Sequence, residues 1–312
     1  MIAQNGTEGL AQRTMTMTMT TPIARSRCGV APEGVCEFLP MGVGDDKSGK
    51  VGTVEVWQCR HCKVGVTMPP LPNVAFLYDN RESQDFQPDA RGIVHRIKDS
   101  AFRMQARTLL RQLPRRPATL LDFGCGSGQF TRCLAELLPE AEVTGSDFHA
   151  EPPADLAGRN YRAIGDLASL EGRFDLVTAF HVLEHDDDAA GLLARIVRMA
   201  RPGGMVVIEV PNIDCVWAGV LGRAWDAWYL PYHRTHFSPA SLEALVGEAG
   251  LEIVARHAVT VPTMGRSIAN ALGVANGLPT LLAGIVLHPL QWAGEKISGR
   301  PSALRLILRR LA

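Results

Sequence analysis

The chain has 312 residues, 46% of them hydrophobic and 21% charged, with 32 Lys plus Arg matched by 32 Asp plus Glu. This length buries one full-sized core and a small appended module. The zero net charge, with no Lys/Arg block interleaved with aromatics, argues against nucleic acid as a partner.

Residues 1–27 are polar and carry the alternating run Met15-Thr16-Met17-Thr18-Met19-Thr20, which has no burial pattern and predicts a disordered tail. The first residues lack the apolar stretch of a secretory signal. The seven cysteines are odd in number in a chain too long to need disulfide staples, so a reducing cytoplasm is the expected setting. Residues 28–75, rich in Gly and Cys with β-prone stretches such as Val51 to Trp57, predict a small loop-rich module. Cys59-Arg60-His61-Cys62 supplies one close pair of metal-type thiols. A tetrahedral zinc needs a second, and the partners upstream are Cys28 and Cys36, spaced wider than usual. A structural zinc on Cys28, Cys36, Cys59 and Cys62 therefore stands beside free buried thiols as an open alternative.

Over 76–117 the apolar residues Ile93, Ile97, Phe102, Met104 and Leu109 lie among charges before Pro114 and Pro117, which predicts a helical linker. From residue 118 apolar runs alternate with helical stretches: Thr119 to Phe123, Gln129 to Leu138, Glu142 to Ser146, Arg173 to Phe180, Ala189 to Ala200 and Met205 to Val210. That alternation predicts right-handed βαβ units and a mostly parallel sheet with helices on both faces, an α/β Rossmann-like architecture. Ser238-Pro239 opens a further helix and Leu251 to Val261 reads as a strand. Ala303 to Leu311 reads as a closing strand or a short basic helix.

Leu120 to Gly128 is a strand entering a glycine-rich turn that opens a helix, so backbone N–H groups and the positive end of the helix face a ligand. Asp147, 19 positions after Gly128, follows the second strand, where a carboxylate takes both ribose hydroxyls of an adenosine ligand. NAD would use that geometry too. Asp122, just inside the strand, suits the zwitterionic tail of an amino acid better than a pyrophosphate. Asp166, at the expected end of a third strand, is placed to accept from an adenine amine.

Three motifs in order, Leu121-Asp122-Phe123-Gly124-Cys125-Gly126-Ser127-Gly128, then Phe174 to His185, then Arg201-Pro202-Gly203-Gly204, resemble the class I S-adenosylmethionine-dependent methyltransferase superfamily. The ubiquinone-pathway O-methyltransferases and related sugar and natural-product methyltransferases are the nearest likeness, over roughly Thr119 to Val261. The resemblance implies a seven-stranded sheet, S-adenosylmethionine as cofactor, and cofactor contacts from Asp122, Gly124, Cys125, Gly126, Gly128, Asp147, Phe148, Asp166, Leu167, Phe180 and His181. Cys59 to Cys62 likewise resembles one knuckle of the zinc ribbons that precede some sugar and natural-product methyltransferase domains. An NAD-linked oxidoreductase, and a cofactor-binding scaffold without turnover, are the alternatives.

His181-Val182-Leu183-Glu184-His185 also matches the H-x-x-E-H pattern of inverted zinc peptidases, but that chemistry needs the residues on one helix, and here they leave a strand. Methyl transfer asks the protein to align an acceptor and, for a hydroxyl, to take its proton. His185 is the first candidate base, with Glu184 as its orienter and His233 or His236 as rivals. The loop 212–237 gathers Trp217, Trp225, Trp228, Tyr229 and Tyr232, fit either to wall an acceptor pocket or to complete the core. The apolar insert 262–300 includes an uncharged stretch from Ser267 to Gly294, interrupted by Pro279 and Pro289. It reads as a buried helical pair, as a surface for peripheral membrane contact or a lipid-linked substrate, or as a span. The expected acceptor is a small or lipid-linked molecule.

Overall fold

The computed structural model describes residues 35–79 and 92–311. The tail expected over 1–27, and Cys28, lie outside the described residues. Three short strands come first, β1 (Phe38–Pro40), β2 (Glu55–Cys59) and β3 (Gly65–Met68). The β-prone stretch expected from Val51 begins pairing only at Glu55. A 20-residue helix, α1 (Ile93–Gln112), follows.

The main domain opens with β4 (Thr119–Phe123), α2 (Gln129–Leu137), β5 (Glu142–Asp147), β6 (Tyr161–Ala163) and β7 (Phe174–Phe180). It continues through α3 (Ala189–Met199), β8 (Ala200–Pro211), α4 (Val216–Leu221) and β9 (Thr235–His236). The last elements are α5 (Pro239–Glu248), β10 (Leu251–Val259), α6 (Met264–Leu272), α7 (Leu278–Ser298) and β11 (Ala303–Arg310). The seven-stranded sheet has the order β10-β11-β8-β7-β4-β5-β6. β4 pairs in parallel with β5 and β7, and β7 with β8, while β11 runs antiparallel between β8 and β10. Ala303 to Arg310 is thus a strand, and the insert before it returns to the sheet.

The apolar runs are continuous because both faces of this sheet are covered. Neighbouring residues point to opposite sides. Leu121, Val177 and Val206 join the core beneath α3 and α5, whereas Leu120, Leu176 and Val207 join the one beneath α1 and α2. α1 is therefore part of the main domain rather than a linker. Arg132 of α2 pairs with Asp99 of α1, and both Arg103 and Arg132 reach Glu136. Ser238 caps α5 by accepting from the Ser241 N–H while Ser241 answers with its hydroxyl, a reciprocal arrangement that fixes the start of the helix.

The N-terminal strands do not stand apart either. They form a four-stranded sheet, β1-β2-β3-β9, whose last strand comes from the loop after β8. Ser238 Oγ donates to the Cys62 carbonyl at 2.6 Å, and buried Arg234 donates to the carbonyls of Thr67 and Pro69 at 2.8 and 2.5 Å. α6 and α7 form a helical pair, although one side of α7 is exposed where a buried pair is expected. Their backbones are so close that a Cβ on Gly265 would sit 2.1 Å from the Thr280 carbonyl oxygen. The two prolines do not break the second helix. Pro279 lies in its first turn, where no intrahelical donor is lost, and Pro289 lies on its exposed side. Among the described residues no helix is long and apolar enough to cross a membrane.

Candidate active site

The glycine turn is built from β4 and β5 together. The N–H groups of Gly124 and Cys125 both donate to the Ser146 carbonyl, at 2.8 and 2.9 Å, and the N–H of Gly126 donates to Asp147 Oδ2 at 2.8 Å. The other oxygen of Asp147 accepts from the Phe148 N–H at 2.8 Å. The carboxylate thus closes the turn and remains partly exposed beside it. Burial pushes the Asp147 carboxyl up, against the two N–H donors that favour its ionised form. Gly124 and Gly128 have φ of +76°, and a Cβ on them would meet Val182 Cγ2 and Leu156 Cγ, each at 2.6 Å. Only glycine fits these positions.

Asp122 has a more internal role than a ligand contact. It is buried at 3% exposure, with Oδ2 accepting from Thr131 Oγ1 at 2.6 Å and Oδ1 from Thr178 Oγ1 at 2.8 Å. Burial pushes its carboxyl up to about 6, against those two hydrogen bonds. It ties β4, α2 and β7 together beneath the turn. Cys125 is buried, and burial drives its thiol well above the ordinary range. Phe148 is 73% exposed next to Asp147, and Asp166 is exposed on the helical turn Ile164–Leu170 while Leu167 turns into the core. Phe180 packs 5.1 Å from the Phe130 ring, and the Arg305 guanidinium lies over the Phe180 ring at 5.0 Å.

His181, directly after β7, has φ of +55°, and Leu183–His185 form a 3-10 turn, not the α-helix of an inverted zinc peptidase. In such a turn residues three apart eclipse one another. Glu184 accordingly lies over His181, Oε1 to Nδ1 at 3.1 Å, and the expected Glu184–His185 pairing is not formed. His181 Nε2 lies 3.3 Å from Glu209, which also pairs with buried Arg305 at 2.5 Å. Hydrogen bonds to Glu184 and Glu209 outweigh desolvation and raise the His181 pKa to about 10, so the ring is an imidazolium between two carboxylates.

The side chains that hold His185 come from elsewhere. Tyr78, on a 3-10 turn (Ala75–Tyr78) after the small sheet, places its hydroxyl 2.7 Å from His185 Nδ1, and the Tyr232 carbonyl lies 3.1 Å from the same atom. The His233 ring sits 4.8 Å from that of His185, edge to face. His233 Nδ1 lies 2.9 Å from the Ala227 carbonyl and donates to it, which leaves the lone pair on Nε2, 4.0 Å from Glu184 Oε1. Burial, then the neighbouring His185 and His236, hold His233 well below the usual histidine range. Burial lowers His236 to about 3, and its Nε2 bonds Thr67 within the small sheet, so it is a structural residue. Glu184, His185 and His233 bring ligand atoms within 4.8 Å of one another, a spacing that would also hold a metal ion. Glu184 Oε2 is buried with no hydrogen-bond partner among the described residues.

Part of the aromatic loop completes the core. Trp225 and Trp228 are buried in a core shared with Val43, Val54 and Val56 of the N-terminal segment. Tyr229 stacks on Tyr232 at 4.8 Å and meets His233 at 5.3 Å. Tyr78 was not singled out by the sequence. A lone Tyr in a linker carries no pattern, whereas Arg234 belongs to the polar residues that accompany the aromatic loop. Its guanidinium pairs with Asp187 at 3.1 Å and its N–H donates to the Glu184 carbonyl at 2.6 Å, which locks the loop onto the 3-10 turn.

A family profile described as a methyltransferase domain matches residues 95–256. Among curated relatives, the trans-aconitate 2-methyltransferase of Deinococcus radiodurans is 37% identical over 122 residues, covering 38% of this chain and 47% of that one. The ubiquinone biosynthesis O-methyltransferase of Azorhizobium caulinodans is 31% identical over 183 residues, covering 53% of this chain and 70% of that one. The chain thus spans about half the length of the first of these relatives. A crystal structure of the Burkholderia thailandensis 1,6-didemethyltoxoflavin-N1-methyltransferase, with 1,6-didemethyltoxoflavin and S-adenosylhomocysteine bound, shares the fold at TM-score 0.51 and 18% identity, over 87% of this chain and 100% of that one. The protein belongs to the methyltransferase domain family, within the class I S-adenosylmethionine-dependent superfamily. S-adenosylmethionine is the cofactor of that class, and the glycine cradle with Asp147 at its mouth fits an adenosyl ligand.

Proposed function

We propose that the protein transfers the methyl group of S-adenosylmethionine to an oxygen, nitrogen or carbon atom of a small or lipid-linked biosynthetic acceptor. The observation that carries this reading is the placement of Glu184 and His185 just past the end of β7, the strand beside the one that feeds the glycine turn, with His233 of the loop after β8 brought against them. The bound sulfonium supplies an electrophilic methyl carbon. The chain's residues then do the rest. Asp147 and the turn hold the nucleoside, the tyrosine and histidine rings of the loop orient the acceptor, and His185 takes the proton of a hydroxyl. Calorimetry tests the site directly: Asp147→Ala should weaken S-adenosylmethionine binding about 30-fold, on the order of 2 kcal/mol, by removing a charged hydrogen-bond partner. Unchanged affinity removes the assignment. Methyl-labelled cofactor, offered with lipid, quinone and nucleotide-sugar pools, identifies the acceptor. Tight binding with no label transferred to any pool favours a scaffold over an enzyme.

We also propose that Cys36, Cys59 and Cys62 hold a structural zinc ion, with Cys28 as the fourth ligand that the sequence suggests. The three buried thiols lie within 4.8 Å of one another, and Cys36 Sγ and Cys62 Sγ are 3.7 Å apart. Tetrahedral zinc with bonds of about 2.3 Å sets its sulfurs about 3.8 Å apart. The ion would knit the start of β1 to the end of β2 and the β2–β3 turn.

A further inference from the structure

α7 is two-sided in an unusual way. Leu278, Leu282, Ile285, Val286, Leu290 and Trp292 are all exposed, Val286 at 76% and Leu290 at 62%. At 3.6 residues per turn they fall within a sector of roughly 160° on one side of the helix. Gly284, Gln291 and Glu295 are buried on the opposite side. There Gly284 meets Gly265 of α6, and Gln291 donates to the Val261 carbonyl at 2.7 Å. No charged side chain occurs from Ser267 to Gly294.

Cations border the hairpin. Lys296 and Arg300 are exposed at the C-terminal end of α7, and Arg223 is exposed on the turn that packs against α6. Lys47 reaches Asn270 of α6 at 3.4 Å. Of the nearby acids, Asp45 is exposed two residues before Lys47, whereas two others are neutralised or turned inward. Asp226 pairs with Arg266 at 2.5 Å, and buried Glu295 accepts from Gln291 and from Ser302. A helix with an apolar exposed side, an aromatic at its edge and a cationic fringe matches a bilayer whose headgroups are anionic.

We propose that the α6–α7 hairpin docks this face on an anionic lipid surface, lying along the bilayer rather than crossing it. The buried side of the hairpin holds the aromatic loop: Trp217 Nε1 donates to the Gln291 carbonyl at 3.3 Å, and the Asp226 N–H donates to Ser267 Oγ at 2.9 Å. Docking therefore brings the loop beside the candidate active site close to the membrane, where a lipid-linked acceptor would be found. That last step rests on the function proposed above, whereas docking itself does not.

Vesicle sedimentation tests it on the full chain. The wild type should pellet with phosphatidylcholine vesicles containing phosphatidylglycerol, and less with phosphatidylcholine alone or at high salt. Val286→Asp combined with Leu290→Asp should lower the partition at least 10-fold, with thermal midpoint and S-adenosylmethionine affinity unchanged, because both sites are exposed. Lys296→Glu combined with Arg223→Glu should reduce binding to the anionic vesicles only. Wild-type protein that pellets with neither vesicle, or a Val286→Asp/Leu290→Asp variant that pellets like wild type, overturns the proposal. So does light scattering that shows a dimer dissociated by the same variant without vesicle binding, which would make a second copy the occupant. Cofactor affinity, read separately, reports on the active-site reading whatever the vesicles show.

Discussion

The hydroxyl of Tyr78 and Nδ1 of His185 are 2.7 Å apart although 107 positions separate them in the chain. The segment ahead of the methyltransferase domain therefore reaches the candidate base directly. Tyr78→Phe should lower the turnover number about 10-fold, since one hydrogen bond to a polar group in the site is worth on the order of 1.4 kcal/mol. The dissociation constant for S-adenosylmethionine should not move. Steady-state kinetics with the identified acceptor, alongside calorimetry for the cofactor, separates the two, and an equal loss in both would make Tyr78 merely structural.

His181 makes stability depend on alkaline pH. Its pKa is raised from 6.5 to about 10, so the folded protein binds the proton more tightly than the unfolded chain. The stabilisation is fully present below pH 6.5 and fades as pH rises through about 10. His181→Gln should destabilise the protein by about 2 kcal/mol at neutral pH. This is less than the ~3–5 kcal/mol for breaking a fully buried pair, because the imidazole is 36% exposed. Urea denaturation from pH 6 to pH 10 should show the gap between wild type and variant closing at the alkaline end.

Gly124 has φ of +76° and no room for a Cβ beside Val182. Gly124→Ala should cost about 2 kcal/mol or more, from the left-handed backbone and overpacking together. Gly165→Ala is the control, with open space around its Cα, and should be close to neutral. Chemical denaturation of the pair measures the difference. Equal stabilities would show that the turn relaxes freely.

Metal analysis addresses the thiol cluster. Purified protein should contain one zinc per chain, and Cys59→Ser should lose it together with several degrees of thermal midpoint. Wild-type protein without zinc, and with an unchanged melting curve after chelation, removes the ion from the account.

The parts of this protein written into the sequence are the ones that depend on near neighbours. The glycine turn is legible because a tight turn between a strand and a helix demands particular residues within nine positions. Asp147 is legible because the length of one βα unit sets the distance to the next strand end. The double-sided burial of Leu120 and Leu121, or Leu176 and Val177, follows from period and hydrophobicity alone. Even Ser238 announced the helix it caps.

Tertiary structure decided what distant segments do to one another. It gave the small sheet its fourth strand from the loop after β8, and it set Tyr78 rather than Glu184 against His185. It buried Asp122 under two hydroxyls, and it left one side of α7 bare. A hydrogen bond across a hundred residues depends on how separate elements pack, a sum over many weak contacts. A strand, a turn or a cap is fixed by the sterics and hydrogen bonding of a few adjacent residues, and those can be read in order along the chain.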